Sequence, residues 1–302
     1  MIEIDKIVFG DNQFFGINHM SQEKAQQLAE KFHQIENIFK VYDIAIKAGI
    51  NAIMLNSNEK AKVICEHFKT NEKKYGYLNW YPSIPYPHKY SNLVAEKGIF
   101  PAINEVLFKN NNAKGVADFL VKGGTALLTK DAIKMMQMLI DTEMKMFKGL
   151  NIKVVFLQNI VTDLLLGFNI KLVFEEYCNY IRKKYKALPG LITQNLPWLL
   201  NKLSEWDIHE VVVCSSFNKI GYLMSPDVQS YIEVTSKNNS GDYQIMAMST
   251  LASGAIVPKE AYAFINEQNI QSVVFGASSE KHIKETINLI NPREKLNLSS
   301  LN

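Results

Sequence analysis

The chain has 302 residues, 47% hydrophobic and 21% charged, with a formal net charge of +3. That content supports one large folded domain, residues 1–302, and argues against disorder or a nucleic-acid-binding surface, since no basic block stands out. Cys65, Cys178 and Cys214 are far apart and odd in number, which suits reduced thiols better than a disulfide framework or a paired-cysteine metal site.

Met1 to Asp5 carries acid where a signal peptide would carry base, and no apolar run reaches membrane-spanning length. A cytoplasmic setting is expected, with a small-molecule partner, no nucleic acid and no membrane. Self-association is compatible with the sequence.

In chain order, Lys6–Phe9 is the first short strand, followed by Gly10-Asp11-Asn12-Gln13. Residues 35–47 repeat apolar side chains at three and four and predict an amphipathic helix, closed by Gly49. Ala52–Leu55 is strand two, with Asn56-Ser57 capping the helix that runs to Lys69. Tyr77–Tyr81 is strand three and enters a proline-rich loop, Pro82 to Pro87. Residues 92–108 and 113–121 read as helical, and 131–147 as a Met-rich helix. Strand four is Lys153–Leu157, ending in Gln158-Asn159, and 173–185 is helical. Strand five, Gly190–Thr193, ends in Gln194-Asn195; a helix near Pro197 reaches Trp206. Strand six, Glu210–Cys214, ends in Ser215-Ser216-Phe217-Asn218, before a helix over 227–236. Strands seven and eight, Tyr243–Met248 and Ser272–Phe275, each lead through small residues into a helix, at Pro258 and Glu280.

These strands are short, apolar and unalternating, so they are buried on both faces, as in a parallel sheet. Eight of them separated by helices predict an α/β fold of the (β/α)8 TIM-barrel class. Residues 82–150 exceed one crossover helix and read as a helical insertion around strands three and four.

Several segments resemble the aldo/keto reductase superfamily. Phe217-Asn218 is similar to the Tyr-Asn at strand six, and Met248 to Gly254 to the Tyr-Ser-Pro-Leu-Ala-x-Gly after strand seven. Gly276-Ala277-Ser278-Ser279, with His282 and Glu285, resembles the Gly-Ala-Ser segment that grips the adenosine phosphate. Phe9 to Gly16 resembles the family's first strand, and Ala48 to Asn51 its Gly-Ile-Asn. The resemblance implies an Asp, a Tyr, a Lys and a His near the ends of strands two, three and four. By position Leu55 stands for the Asp, Trp80 or Tyr81 for the Lys, and Gln158 or Asn159 for the His; no Tyr lies between Asn56 and Glu59.

The working face of such a barrel lies at the C-terminal ends of its strands. Those ends carry Asn12, Gln13, Asn56, Asn79, Gln158, Asn159, Gln194, Asn195 and Asn218, with Ser215 and Ser216. Amides offer donors and acceptors without charge and suit a hydroxyl-rich, sugar-like substrate; the same residues also suit helix caps and loop ties. Asp11 is the expected acid or base, since a carboxylate desolvated after a buried strand has its pKa raised; holding its own loop is the other reading. Glu59 sits in a helix's first turn, where acid is favourable anyway. His19 and His88 are the candidate complements to Asp11, and Tyr81 joins His88, Lys89, Tyr86 and Tyr90 in an aromatic and basic cluster. Ser249, Thr250, Leu251 and Ser253, with Gly276, Ala277, Ser278, Ser279 and Lys281, are the expected phosphate- or cofactor-binding residues.

No HxH, HExxH, GxSxG or P-loop pattern occurs, so no metal is expected. The reading is a reductase-like barrel enzyme performing acid–base chemistry (isomerisation, lyase or hydrolytic) on a sugar-like, phosphorylated or nucleotide-linked molecule, with no cofactor. One alternative is a divergent NADPH-dependent oxidoreductase using Tyr81 or Tyr86 as proton donor. Another is a non-catalytic barrel that binds a ligand or partner.

Overall fold

The computed structural model describes residues 2–15, 22–86, 130–238 and 241–291. His19, His88, Lys89, Tyr90 and most of the expected insertion lie outside them. By internal contact the chain forms two compact units: 1–54 with 194–197 and 214–302, and 55–193 with 198–213.

The elements in order are β1 (Ile7–Phe9), α1 (Gln22–Lys31), α2 (Ile35–Lys47), β2 (Ala52–Asn56), α3 (Ala61–Thr70), α4 (Glu72–Tyr75) and β3 (Asn79–Ile84). After them come α5 (Lys130–Met144), β4 (Asn151–Ile152), β5 (Val154–Leu157), α6 (Asn159–Gly167), α7 (Lys171–Tyr180), β6 (Leu188–Thr193), α8 (Leu196–Glu205) and β7 (Val211–Ser216). The last are α9 (Val228–Lys237), β8 (Tyr243–Met248), α10 (Pro258–Asn266), β9 (Ser272–Phe275) and α11 (Glu280–Ile290). The strands hydrogen-bond in the order β2-β1-β9-β8-β7-β6-β5-β3-β4, and β2 also pairs with β3. That last pairing closes the ring, giving the expected (β/α)8 barrel.

In the first unit, β1 pairs parallel with β9, Phe9 opposite Phe275. Phe9 sits edge-on to the rings of Phe275 at 5.5 Å and Tyr42 of α2 at 6.0 Å, which packs α2 onto the strands. Gln244 clamps the N-terminal segment to β8, accepting from Ile4 N–H and donating to Ile2 O.

In the second unit, β5 pairs with β3 and β6, Phe156 opposite Ser83 and Gly190. The fourth strand is broken at Lys153. Its N–H donates to Trp80 O (2.9 Å) while its carbonyl accepts from Leu188 N–H (2.9 Å). The break lies next to Pro82 of β3, which has no N–H to offer the ladder.

The third strand corrects the sequence reading. It runs 79–84, through Pro82, and not 77–81. Helix α6, over residues 159–167, is a further element the periodicity misses, because it is short and nearly all apolar. On α5, Met144 is buried and Met136 lines an apolar cavity, so these two fill the core, whereas Met138 is 60% exposed. Among the described residues no helix is long and apolar enough to cross a membrane.

Candidate functional site

Alternate side chains of a strand face opposite sides of its sheet. In the second unit one side belongs to the helices. There Trp80 packs on Phe68 of α3, ring centroids 5.0 Å apart. Leu157 lines the cavity with residues of α5, α6 and α7, and Thr193 Oγ1 donates to Asp163 of α6. The other side therefore carries Tyr81, Ser83, Phe156, Gln158 and Gly190.

On that side Tyr81 is fully buried and stacks on Phe156, centroids 6.4 Å apart and planes 22° apart. The next layer toward the strand ends is polar. Gln158 Nε2 donates to Ser83 Oγ (2.5 Å) and to Asn56 Oδ1 (2.5 Å). At the ends of β2, β3 and β5, Asn56, Ser83 and Gln158 are thus three neutral side chains joined through the amide of Gln158. Asn56 and Gln158 were expected at the site; Ser83 was not, because it was read as part of a loop. Period-two alternation from Tyr81, continued through Pro82, is the signal that finds it.

Other expected residues separate from this group. Asn79 starts β3 at the opposite end of the strand, where its Oδ1 accepts from Asn151 Nδ2 (2.8 Å). Its placement at a C-terminal strand end followed from the misread strand. Asn58, not Asn56-Ser57, holds the turn that leads into α3: its Oδ1 accepts from Lys60 N–H (3.0 Å) and Ala61 N–H (2.9 Å). Ser57 Oγ accepts instead from Tyr86 N–H (3.1 Å). Glu59 is exposed, and Asn159 opens α6 half-buried.

In the first unit, Asp11 is 2% exposed, and its carbonyl accepts from Phe14 N–H to start a short 3-10 turn, Asn12–Phe15. Asn12 is exposed. Gln13 is buried and donates through Nε2 to Gly10 O (2.8 Å). Its Oε1 lies 2.0 Å from where a β-carbon on residue 276 would stand, so the Gln13 amide covers Gly276. Beyond Gly276 and Ala277, Ser279 caps α11 by accepting from His282 N–H (3.3 Å), and Lys31 Nζ donates to Ser278 O (3.1 Å). Lys281 is exposed; Lys284 pairs with Glu280 at 2.6 Å.

The loop after β8 is wound left-handed at Ser249 (φ 53°), Ala252 (46°), Ser253 (57°) and Gly254 (94°). Non-glycine residues adopt this conformation at a cost and only where surroundings hold them. Gly254 N–H donates to Leu251 O (2.8 Å), and Thr250 Oγ1 meets Tyr262 Oη (3.3 Å) in the core. Burial pushes the Tyr262 hydroxyl up, against hydrogen bonds with Thr250 and Thr286.

Asn218 is fully buried and ties its own loop: Oδ1 accepts from Tyr222 N–H (2.9 Å), and Nδ2 donates to Tyr222 O (2.8 Å) and Ser249 O (3.4 Å). Gln194 supplies its carbonyl to Tyr231 Oη (2.8 Å), which also meets Ser215 Oγ (3.3 Å). Asn195 is half-buried, and Ser216 Oγ is buried without a hydrogen-bond partner among the described residues. No group of three or more His, Cys, Asp or Glu that could hold a metal ion occurs among the described residues.

No protein-family description and no curated protein matches the sequence. Solved structures do match. One, from Pseudomonas aeruginosa and assigned as an aldo-keto reductase, aligns over 96% of this chain and 90% of its own at 11% identity, TM-score 0.60. An aldo-keto reductase from Bacillus halodurans in its holo form aligns over 94% and 86% at 8% identity, TM-score 0.52.

The fold is that of the aldo/keto reductases.

At these identities the likeness establishes the barrel and leaves its chemistry to the residues present. A nicotinamide cofactor is the group this fold brings to mind. Around the loop before α11 stand a helix N-terminus, Ser278, Lys31 and Lys281, groups of the kind that would suit the phosphates of such a cofactor. The strand ends fit less well. Asn56, Ser83 and Gln158 carry no ionisable group, and a carbonyl receiving hydride needs a tuned proton donor.

Proposed function

We propose that the chain is an enzyme with an aldo/keto reductase-like barrel that performs proton transfer on a hydroxyl-rich small molecule. It would isomerise, eliminate or hydrolyse, with no nicotinamide cofactor and no metal. The observation that carries this reading is the Asn56–Ser83–Gln158 group, neutral and joined by two hydrogen bonds from Gln158 at the ends of β2, β3 and β5. Such a group orients hydroxyls and cannot by itself protonate an alkoxide at neutral pH. Asp11, buried directly after β1, is the carboxyl we assign as acid or base. A phosphate on the substrate would be held by Ser278, Lys31 and Lys281, with the left-handed loop Ser249 to Gly254 alongside.

The test is a thermal-shift titration with NADPH, NADP and NAD beside sugar phosphates and nucleotide sugars. A ligand at roughly a hundred times its Kd stabilises by about 2.7 kcal/mol, several degrees for a chain of this size. Stabilisation by a sugar phosphate or nucleotide sugar, with turnover lost in Asp11→Asn, is the expected result. Stabilisation by NADPH alone would overturn it.

That outcome would support the second reading, an NADPH-dependent oxidoreductase. Its support is the fold likeness to reductases and the phosphate-compatible loop before α11. It would require a proton donor other than Tyr81, which is buried beneath Ser83 and against Phe156.

A further inference from the structure

We infer that a cleft at the N-terminal ends of β3 and β4 is a second binding site, and that it takes a small zwitterion with an apolar body, namely an amino acid with an aromatic side chain. The cleft lies at the opposite end of β3 from Ser83, and nothing in the proton-transfer reading above depends on it.

Its volume is about 530 Å³, inside the range of roughly 300–1,000 Å³ that small-molecule sites occupy. The last turn of α3 and the short α4 line it through Lys69, Glu72 and Tyr75, and residues 149–151, the turn into β4, line it from the other side. All of these residues belong to the second unit.

The floor is aromatic. Phe68 packs against Tyr75 and Trp80, ring centroids 4.8 and 5.0 Å apart. Each of the three rings is buried but for a few per cent of its surface, so the floor is fixed by its own packing. A fixed floor is what a selective site needs.

The two charges in the lining are opposite, and neither is spent on the other. Lys69 Nζ is held by Glu66 Oε1 (2.6 Å) and donates to Met146 O (3.4 Å). An ammonium carries three hydrogens, so one is left for a ligand. Glu72 is exposed, and among the described residues its carboxylate has no ion pair or hydrogen bond. Gly149 leaves the space beside the lysine open: its φ is 90°, and a β-carbon there would meet Lys69 Cδ at 3.6 Å.

A zwitterion satisfies both charges at once. Its carboxylate takes the remaining hydrogen of Lys69, its ammonium goes to Glu72, and its apolar body is left for the aromatic floor. A simple carboxylate would meet Lys69 but gain nothing from Glu72, which repels it; a simple amine meets the reverse. Selection here comes from the mismatch as much as from the match.

Binding to the full-length chain is followed by saturation-transfer NMR and by the backbone amide shifts of Gly76, Gly149 and Leu150. The probes are phenylalanine, phenethylamine, which lacks the carboxylate, and hydrocinnamate, which lacks the ammonium. Phenylalanine should bind and move those three amides, and the other two should bind roughly fivefold more weakly or worse. Glu72→Gln and Lys69→Met should each weaken phenylalanine by roughly five- to tenfold. Glu72→Lys should reverse the preference, so that hydrocinnamate binds better than phenylalanine. The inference is overturned by phenylalanine that does not bind, that moves other amides and not these, or that binds the variants as it binds wild type. Phenethylamine or hydrocinnamate binding wild type as tightly as phenylalanine overturns it too. Each variant is checked by circular dichroism. Lys69→Met also removes the Glu66 pair, so should it misfold, Glu72→Gln, at an exposed position, decides.

Discussion

The ring of Phe156 occupies the place that a side chain on residue 190 would need. An ideal β-carbon built on Gly190 would stand 2.4 Å from Cδ1 and 2.7 Å from Cε1 of that ring. Glycine is required here for close approach and not for a left-handed backbone, since φ at 190 is not positive.

Replacing it follows directly. Gly190→Ala drives Phe156 off its seat, and with it the stacked Tyr81. Overpacking a filled interior costs about 1–3 kcal/mol. Urea unfolding should show that loss with an unchanged m-value. An unchanged midpoint would mean that the ring has room to turn aside.

Asn218 tests a different kind of support. Its side chain makes three hydrogen bonds to the backbone of its own loop and the next, and it is fully buried. Asn218→Ala leaves the Tyr222 N–H and carbonyl without those partners, a loss of about 1–3 kcal/mol. Hydrogen exchange should rise at Tyr222, whose N–H donates to Asn218 Oδ1. Loss of ligand binding with no change in exchange would instead point to direct contact with substrate.

Acid should loosen α5. Asp141 on that helix accepts from Tyr180 Oη (2.8 Å), Tyr185 Oη (2.7 Å) and Lys184 Nζ (2.5 Å). Burial alone would raise its carboxyl, but the hydrogen bonds from Lys184, Tyr185 and Tyr180 outweigh that and hold it below the ordinary 3.8. A depressed carboxyl contributes stability above its unfolded pKa and loses it as pH falls through the folded one. The stability difference between wild type and Asp141→Asn should therefore be flat near neutrality and shrink below about pH 4. A difference that stays constant down to pH 2 would show that the carboxylate contributes nothing.

The cysteines should be inert in the folded chain. All three are buried, and burial pushes the Cys65 and Cys178 thiols up to about 12 and the Cys214 thiol higher still. Thiolate is the reacting form. Iodoacetamide at pH 8 should label none of them natively and all of them in urea, read by mass spectrometry. Rapid native labelling of Cys65, on α3, would reveal local opening of that helix.

Residues 35–47 and 280–290 could be read directly, and both are helices with those bounds. Their apolar residues recur at helical spacing, and Ser279 stands where a cap belongs. Strand three could not be placed by the same means. Pro82 is a strong local signal for a loop, yet the ladder tolerates it beside the break at Lys153. That misreading carried Asn79 to the wrong end of the strand and hid Ser83. Helix α6 was hidden for the opposite reason: Ile160, Val161, Leu164, Leu165 and Leu166 make it apolar nearly all round.

By itself the sequence determined the alternation of strand and helix and the burial of most strands on both faces, because local spacing and turn chemistry carry that information. It also supplied amides where strands end. Tertiary structure alone decided which of those amides meet. Asn218 was turned inward to its own loop and Asn79 sent to the far end of its strand, while Gln158 was brought to Asn56 and Ser83. The physical reason is register: residues 56, 83 and 158 are distant in sequence, and only parallel pairing of β3 with β2 and β5 sets their side chains on one face within hydrogen-bond reach.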